Sequence, residues 1–187
     1  MNHRNSQNGF SLIEILVALF VFAIGILSVA GLQIVSKRTN FEAVQRTSAT
    51  FLAYDILERM RANPRELGSY VDVTLGATRP APAVMCDASA CTAEELAAFD
   101  VWEWQRAIQG VAEQSAGTST GGLVNPTGCI AGPAAGGQGT YTITIAWQGV
   151  DALTNEFDDN LCGNGNAGYG ETLEYRRLIV ITTYIAP

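Results

Sequence analysis

Residues 10–32 read FSLIEILVALFVFAIGILSVAGL, twenty-three residues carrying one charge, Glu14. About 20 apolar residues cross a bilayer core, so this stretch is long enough to span one. It exceeds the roughly 7–15-residue core of an ordinary secretory signal, and no A-x-A site follows it. Gly25 and Gly31 are tolerable in a membrane helix. Downstream, the first proline is Pro64, and Asn63 before it is steered away from helical backbone. One helix is therefore predicted from Phe10 to Ala62, about 80 Å long at 1.5 Å per residue. In its second half Phe41, Val44, Phe51, Leu52, Ile56 and Met60 recur at spacings of three and four or their sums. Thr39, Glu42, Arg46, Thr50, Glu58 and Arg61 lie between them. That apolar stripe is the face on which a sheet is expected to pack. Its aromatics and uneven spacing speak against a coiled-coil seam.

The rest of the chain differs in character. The 187 residues are 48% hydrophobic and 16% charged, against about 25% charged in an average soluble protein. Residues 1–61 hold six basic and four acidic side chains, whereas residues 62–187 hold five and fourteen, a net of −9. Nucleic-acid binding needs clustered Lys and Arg, which this chain lacks. The one histidine, His3, precedes the apolar run. Ser-His-Asp triads, Cys-His pairs and histidine-rich zinc sites are thereby excluded, and no catalytic group, metal or cofactor is expected. Only one lysine, Lys37, is present, beside the span.

Arg4 precedes the span while Lys37, Arg38 and Arg46 follow it, so the positive-inside count does not favour an inside N-terminus. The cysteines argue otherwise. Cys86, Cys91, Cys129 and Cys162 all lie in the acidic part. An even number there favours disulfides and an oxidising compartment. The C-x4-C spacing is wrong for zinc. Of the three pairings possible, Cys86–Cys91 with Cys129–Cys162 is favoured. It would pin the loop before the second helix and the Gly-rich loop between two strands.

Residues 64–91 read as irregular, broken by Pro64, Gly68, Gly76, Pro80 and Pro82, with a short strand expected at Tyr70–Leu75. Thr92-Ala93-Glu94-Glu95 is a capping box opening a helix over residues 93–109, with Gly110 as its stop. Residues 115–139 are rich in Gly, Ser and Thr and read as loops, with a short strand around Cys129-Ile130. From Thr140 to Gln148 the pattern alternates, with Tyr141, Ile143, Ile145 and Trp147 on one face and Thr140, Thr142, Thr144 and Ala146 on the other. Thr172 to Ile185 is predicted as the last strand, after a Gly/Asn/Asp-rich loop over 149–171. The order predicts an α+β fold, a long helix against a C-terminal antiparallel sheet with an additional short helix.

Other motifs carry little weight. Gly163-Asn164-Gly165-Asn166-Ala167-Gly168 fits G-x-G-x-x-G but lacks the strand before it and the helix after it that would hold a pyrophosphate. Asp158, Asp159, Asn160 and Glu171 are oxygen donors of the kind Ca2+ takes, read here as a solvated loop. Asn125-Pro126-Thr127 is barred from glycosylation by its proline.

Gly9-Phe10-Ser11-Leu12-Ile13-Glu14 places a glutamate just inside the apolar run after a short polar leader. The sequence resembles the signal of type IV prepilins and type II secretion pseudopilins. The resemblance implies that a prepilin peptidase cuts between Gly9 and Phe10 and methylates the new amine of Phe10. It implies a leader over 1–9, a membrane segment over 10–32, the periplasmic half of the helix over 33–63 and a soluble pilin-like domain over 64–187. Glu14 would then pair with the N-terminal amine of a neighbouring subunit. Opposite charges about 4 Å apart gain roughly 4 kcal/mol at an effective dielectric of 20. An acid at mid-bilayer costs about 2.5–3.5 kcal/mol on insertion scales, so pairing offsets that cost only in an assembly.

Glu58-Arg59-Met60-Arg61-Ala62-Asn63-Pro64, Thr92–Trp104 with Phe99-Asp100-Val101-Trp102-Glu103-Trp104, and Tyr141–Trp147 together look like the PilV, or pilus-modification, family of minor pilins. That family implies a priming or tip complex at the inner membrane. The implied partners are other minor pilins, the major pilin, the prepilin peptidase, the assembly machinery and inner-membrane lipid. A GspI-like pseudopilin and a single-pass anchored periplasmic protein are the alternatives.

Overall fold

The computed structural model describes residues 9–71, 73–75, 79–111, 114–115, 118–119, 121–133, 136–154 and 159–186. The leader expected over 1–9, except Gly9, and Asp158 lie outside them. The chain divides into two compact units, Met1–Phe41 and Glu42–Pro187. Helix α1, Leu12–Ala62, contributes to both.

In the first unit α1 begins after the non-helical Gly9–Ser11, two residues later than the sequence suggests. It runs unbroken through Gly25 and Gly31. None of its most apolar 18-residue window is buried. Ser28 and Thr39 donate their hydroxyls to the carbonyls of Ile24 and Val35, at 2.9 and 3.1 Å. For Ser28, inside the apolar run, internal bonding of this kind is what a helix in hydrocarbon requires of its polar groups.

The second unit is α+β. After Asn63, Pro64–Tyr70 form a 3-10 helix, where only irregular chain was expected. Then come β1 (Val73–Leu75), α2 (Ala93–Ile108), a two-residue ribbon of β2 (Gln114–Ser115) and β3 (Thr118–Ser119), β4 (Thr127–Ala131), β5 (Gly139–Gln148) and β6 (Arg176–Ile185). The main sheet is antiparallel in the order β1-β4-β5-β6. The expected strand at Tyr70–Leu75 is thus reduced to β1, because Tyr70 ends the 3-10 helix. The last strand begins at Arg176, not Thr172. Residues 171–175 turn instead, with the Glu174 carboxylate accepting from the Thr172 amide and hydroxyl at 3.1 and 3.0 Å.

Both ends of α2 are chemically specified. The Thr92 side chain accepts from the Glu95 amide and the Glu95 carboxylate accepts from the Thr92 amide, a reciprocal capping box. At the other end Gly110 has φ +64°, and the Val111 amide reaches the Arg106 carbonyl at 3.0 Å. A Cβ at Gly110 would lie 1.9 Å from the Gly121 carbonyl oxygen, so glycine is required there.

The core joins α1, the 3-10 helix, α2 and the sheet. Ala49, Ala53, Ile56, Leu57 and Met60 of α1 meet Leu67, Tyr70, Val101, Trp104 and Ile108, with Tyr141, Ile143 and Ile145 from the inner face of β5. The helix face differs from the predicted stripe. Ile56 and Met60 are buried and Leu52 half-buried, but Val44 is 60% and Phe51 71% exposed, and Phe41 is exposed as well. Ala49 and Ala53 do the packing instead. Their small side chains let Trp104 come close enough for its indole N–H to donate to the Leu52 carbonyl at 2.8 Å.

The outer face of β5 is partly covered. Ala146 and Thr144 are buried there, beneath the segment around Cys162 and Tyr169. Two disulfides form, Cys86–Cys91 and Cys129–Cys162, the favoured pairing. The second fastens that covering segment to β4.

Candidate functional site

The residues singled out at the N-terminus stand together on one helix end. Phe10 is 80% exposed. Glu14 occupies the first turn of α1, with its amide donating to the Ser11 carbonyl at 3.0 Å. A carboxylate is electrostatically favoured at that end, where unpaired amides carry partial positive charge. Phe10, Glu14, Ile15, Ala18, Leu19 and Phe22 line one concave strip of about 560 Å³. Glu14 is the one ionisable group on it, set in an apolar wall.

In the second unit, a polar network holds the end of α1. The Arg59 guanidinium donates to Asp55 at 3.0 Å, to Asp100 at 3.0 Å and to Glu103 at 2.6 Å. The Tyr70 hydroxyl donates to the other Asp100 oxygen at 2.6 Å, and Asn63 donates to the Ala93 carbonyl at 2.7 Å. Burial opposes the charge on Arg59, but its hydrogen bonds to Glu103 and Asp100 outweigh that and hold it protonated. Burial, reinforced by the bond to Asp100, pushes the Tyr70 hydroxyl well above its ordinary range. The run Glu58–Pro64 is therefore a latch. Met60 packs inward, Arg59 and Asn63 reach α2, and Arg61 pairs with Glu58 at 2.5 Å and touches the Thr183 hydroxyl at 3.2 Å.

Two residues whose contacts only the structure shows tie down the opposite end. Gln45 donates its amide to the Gly122 carbonyl at 3.2 Å and accepts from the Val124 amide at 3.1 Å. Glu42 accepts from the Val150 amide at 2.6 Å and lies 3.7 Å from Arg177. A single buried glutamine on a helix has no periodic signal that marks it.

Arg176 anchors the Gly/Asn/Asp-rich loop over 149–171 from within. Its guanidinium is buried and donates to the carbonyls of Asn160 and Cys162 at 2.6 and 3.1 Å, and to the Asn164 side chain at 3.4 Å. These carbonyl oxygens are held by the Arg176 side chain. Asp159 and Glu171 are exposed, and among the described residues no three His, Cys, Asp or Glu side chains gather to hold a metal. The glycine motif at 163–168 lies in turns and a three-residue 3-10 helix, Ala167–Tyr169, so no pyrophosphate-binding helix start exists there. Tyr169 is buried under its own loop, which pushes its hydroxyl up to about 12.

Residues 31–102 match the family described as type IV pilin Tt1218, and residues 4–30 match the prokaryotic N-terminal methylation motif. The matches support a type IV pilin. No curated protein and no solved structure matches the chain. The first match ends inside α2 and contains Arg59, Asn63, Tyr70 and Asp100, so most of the latch falls within it, with Glu103 just beyond its end. The second contains Gly9, Phe10 and Glu14. The methylation motif and the apolar α1 fit a membrane-anchored subunit incorporated into a pilus.

Proposed function

We propose that this pilin is a minor subunit of a type IV pilus, of the PilV-like kind, acting in a priming or tip complex at the inner membrane. It is a structural subunit, not an enzyme. A prepilin peptidase removes residues 1–9 and methylates Phe10, the span over 10–32 sits in the inner membrane, and the disulfide-bonded unit faces the periplasm. Glu14 carries the reading: a carboxylate one helical turn from Phe10, at the head of an apolar helix, with no hydrogen-bonding or ion-pair partner for its side chain among the described residues. Paired with a neighbour's N-terminal amine, it makes assembly favourable and sets register. A GspI-like pseudopilin shares the methylation motif, and the match to a type IV pilin over residues 31–102 favours the pilus.

Intact mass spectrometry of the membrane-extracted protein tests processing. The expected product lacks nine residues, carries one methyl group and contains two disulfides. Glu14→Ala and Glu14→Gln test assembly. Both are expected to insert and to be cut normally, yet to be depleted from sheared pili relative to their membrane abundance. Normal incorporation of both variants refutes the role given to Glu14. Retention of residues 1–9 in cells with an active peptidase refutes the reading as a whole.

A further inference from the structure

The two edges of the main sheet are unequal. One ends in β1, three residues long. The other ends in β6, ten residues long and in unbroken register with β5 from Gly139↔Ile185 to Gln148↔Arg176. Exposed edges invite pairing, and proteins blunt them with short strands, bulges, prolines or outward charges. β1 is blunted by its length. β6 carries none of these devices, since residues 178–185 read LIVITTYI, uncharged and free of proline. Its two arginines are turned away, Arg176 into the loop carbonyls and Arg177 toward Glu42 and the Asp151 carbonyl. Among the described residues, the backbone of 177–185 makes no hydrogen bond except to β5. Val180, Thr182 and Tyr184 are exposed on the outer face, and Ile179 and Ile181 are only partly covered on the inner one.

We propose that the free edge of β6 receives an extended strand from another protein subunit. Only a peptide backbone offers amides and carbonyls at the spacing of this ladder. The side chains define the visitor. It is apolar at alternate positions, to cover Ile179 and Ile181, and bears hydroxyl or aromatic groups between, opposite Thr182 and Tyr184. It is uncharged or basic, because residues 62–187 carry a net −9. The same charge disfavours a second copy of this chain, which would bring two such bodies together.

The test places a photo-crosslinking residue at Val180, Thr182 or Tyr184 of the full chain in its own membrane, with Ala88, also exposed, as control. Adducts from the three β6 positions, and not from Ala88, are expected on one segment of a different subunit, at residues two apart. With the probe at Tyr184, Val180→Lys should cut the adduct by about tenfold while leaving membrane abundance and both disulfides unchanged. An adduct of twice the chain's mass, partner sites without the two-residue period, an indifferent Val180→Lys, or no adduct from protein recovered in pili each overturns the proposal. Adducts from a chain that never enters pili would instead refute the minor-pilin reading and leave this one standing.

Discussion

Asp100 is the acceptor on which the latch turns, and its removal separates charge from hydrogen bonding. It is 5% exposed and accepts from both Arg59 and Tyr70. Asp100→Ala strands the O–H donor of the fully buried Tyr70, whose oxygen still accepts from Asn63 at 3.3 Å, at about 1–3 kcal/mol for an unsatisfied group. It also removes one charged partner of Arg59, whose side chain is 28% exposed and keeps Asp55 and Glu103, so that loss is discounted to about 1 kcal/mol. The sum is about 2–4 kcal/mol. Asp100→Asn still accepts from Tyr70 and should cost only about 1–2 kcal/mol. In a Tyr70→Phe background no hydroxyl remains for Asp100→Ala to strand, so that substitution should cost about 1–2 kcal/mol less there than it does alone. All three tryptophans, Trp102, Trp104 and Trp147, lie in this unit, so fluorescence during urea unfolding of the full chain in detergent micelles reports on it. Equal costs for Asp100→Ala and Asp100→Asn, or no coupling to Tyr70→Phe, would refute the assignment of Tyr70 as the stranded partner.

The two disulfides should contribute unequally. With sequence separations of 33 and 5, the chain-entropy relation gives about 4 kcal/mol for Cys129–Cys162 and about 2 kcal/mol for Cys86–Cys91, measurable as urea midpoints of the paired alanine variants. Gly128→Ala places a Cβ 2.8 Å from the Trp104 ring and should cost about 1–3 kcal/mol by the same unfolding measurement. The Trp147 indole N–H is buried with no partner among the described residues, whereas that of Trp104 reaches Leu52, so Trp147→Phe should cost less than Trp104→Phe. Tyr169, raised by burial to about 12, keeps its proton in the folded state while the unfolded tyrosine loses its own near pH 10. Stability should therefore be full below pH 10 and fall as pH rises toward 12, and Tyr169→Phe should flatten that fall in alkaline urea titrations.

What was legible in the sequence was whatever rests on local chemistry. Thr92 and Glu95 satisfy each other's amides within four residues, and Pro64 ends α1 through its own ring, so both boundaries fell where they were read. The alternation at Tyr141–Trp147 marked the inner face of β5 because side chains there point by period alone. The helix face was misread for a reason that is also physical. A hydropathy pattern ranks Phe41, Val44 and Phe51 above Ala49 and Ala53. Which stripe is buried depends instead on how closely Trp104 can approach, and alanine permits what phenylalanine blocks. The latch was visible only as a run of residue types, Glu58–Pro64 and Phe99–Trp104, with nothing to say that Arg59 and Asp100 meet across 41 positions. The covering of Thr144 and Ala146 was beyond reach for the same reason. It depends on Cys162 and Tyr169 folding back from a segment whose Gly and Asn content reads as solvent-exposed until Arg176 is found inside it. Long-range partners of this kind follow from how the elements pack, and packing is decided by shape at contacts the linear pattern does not contain. The N-terminal site is the converse case. Gly9, Phe10 and Glu14 are neighbours in sequence and on one helix end, and what they lack among the described residues, a positive partner for Glu14, is the feature that points to assembly.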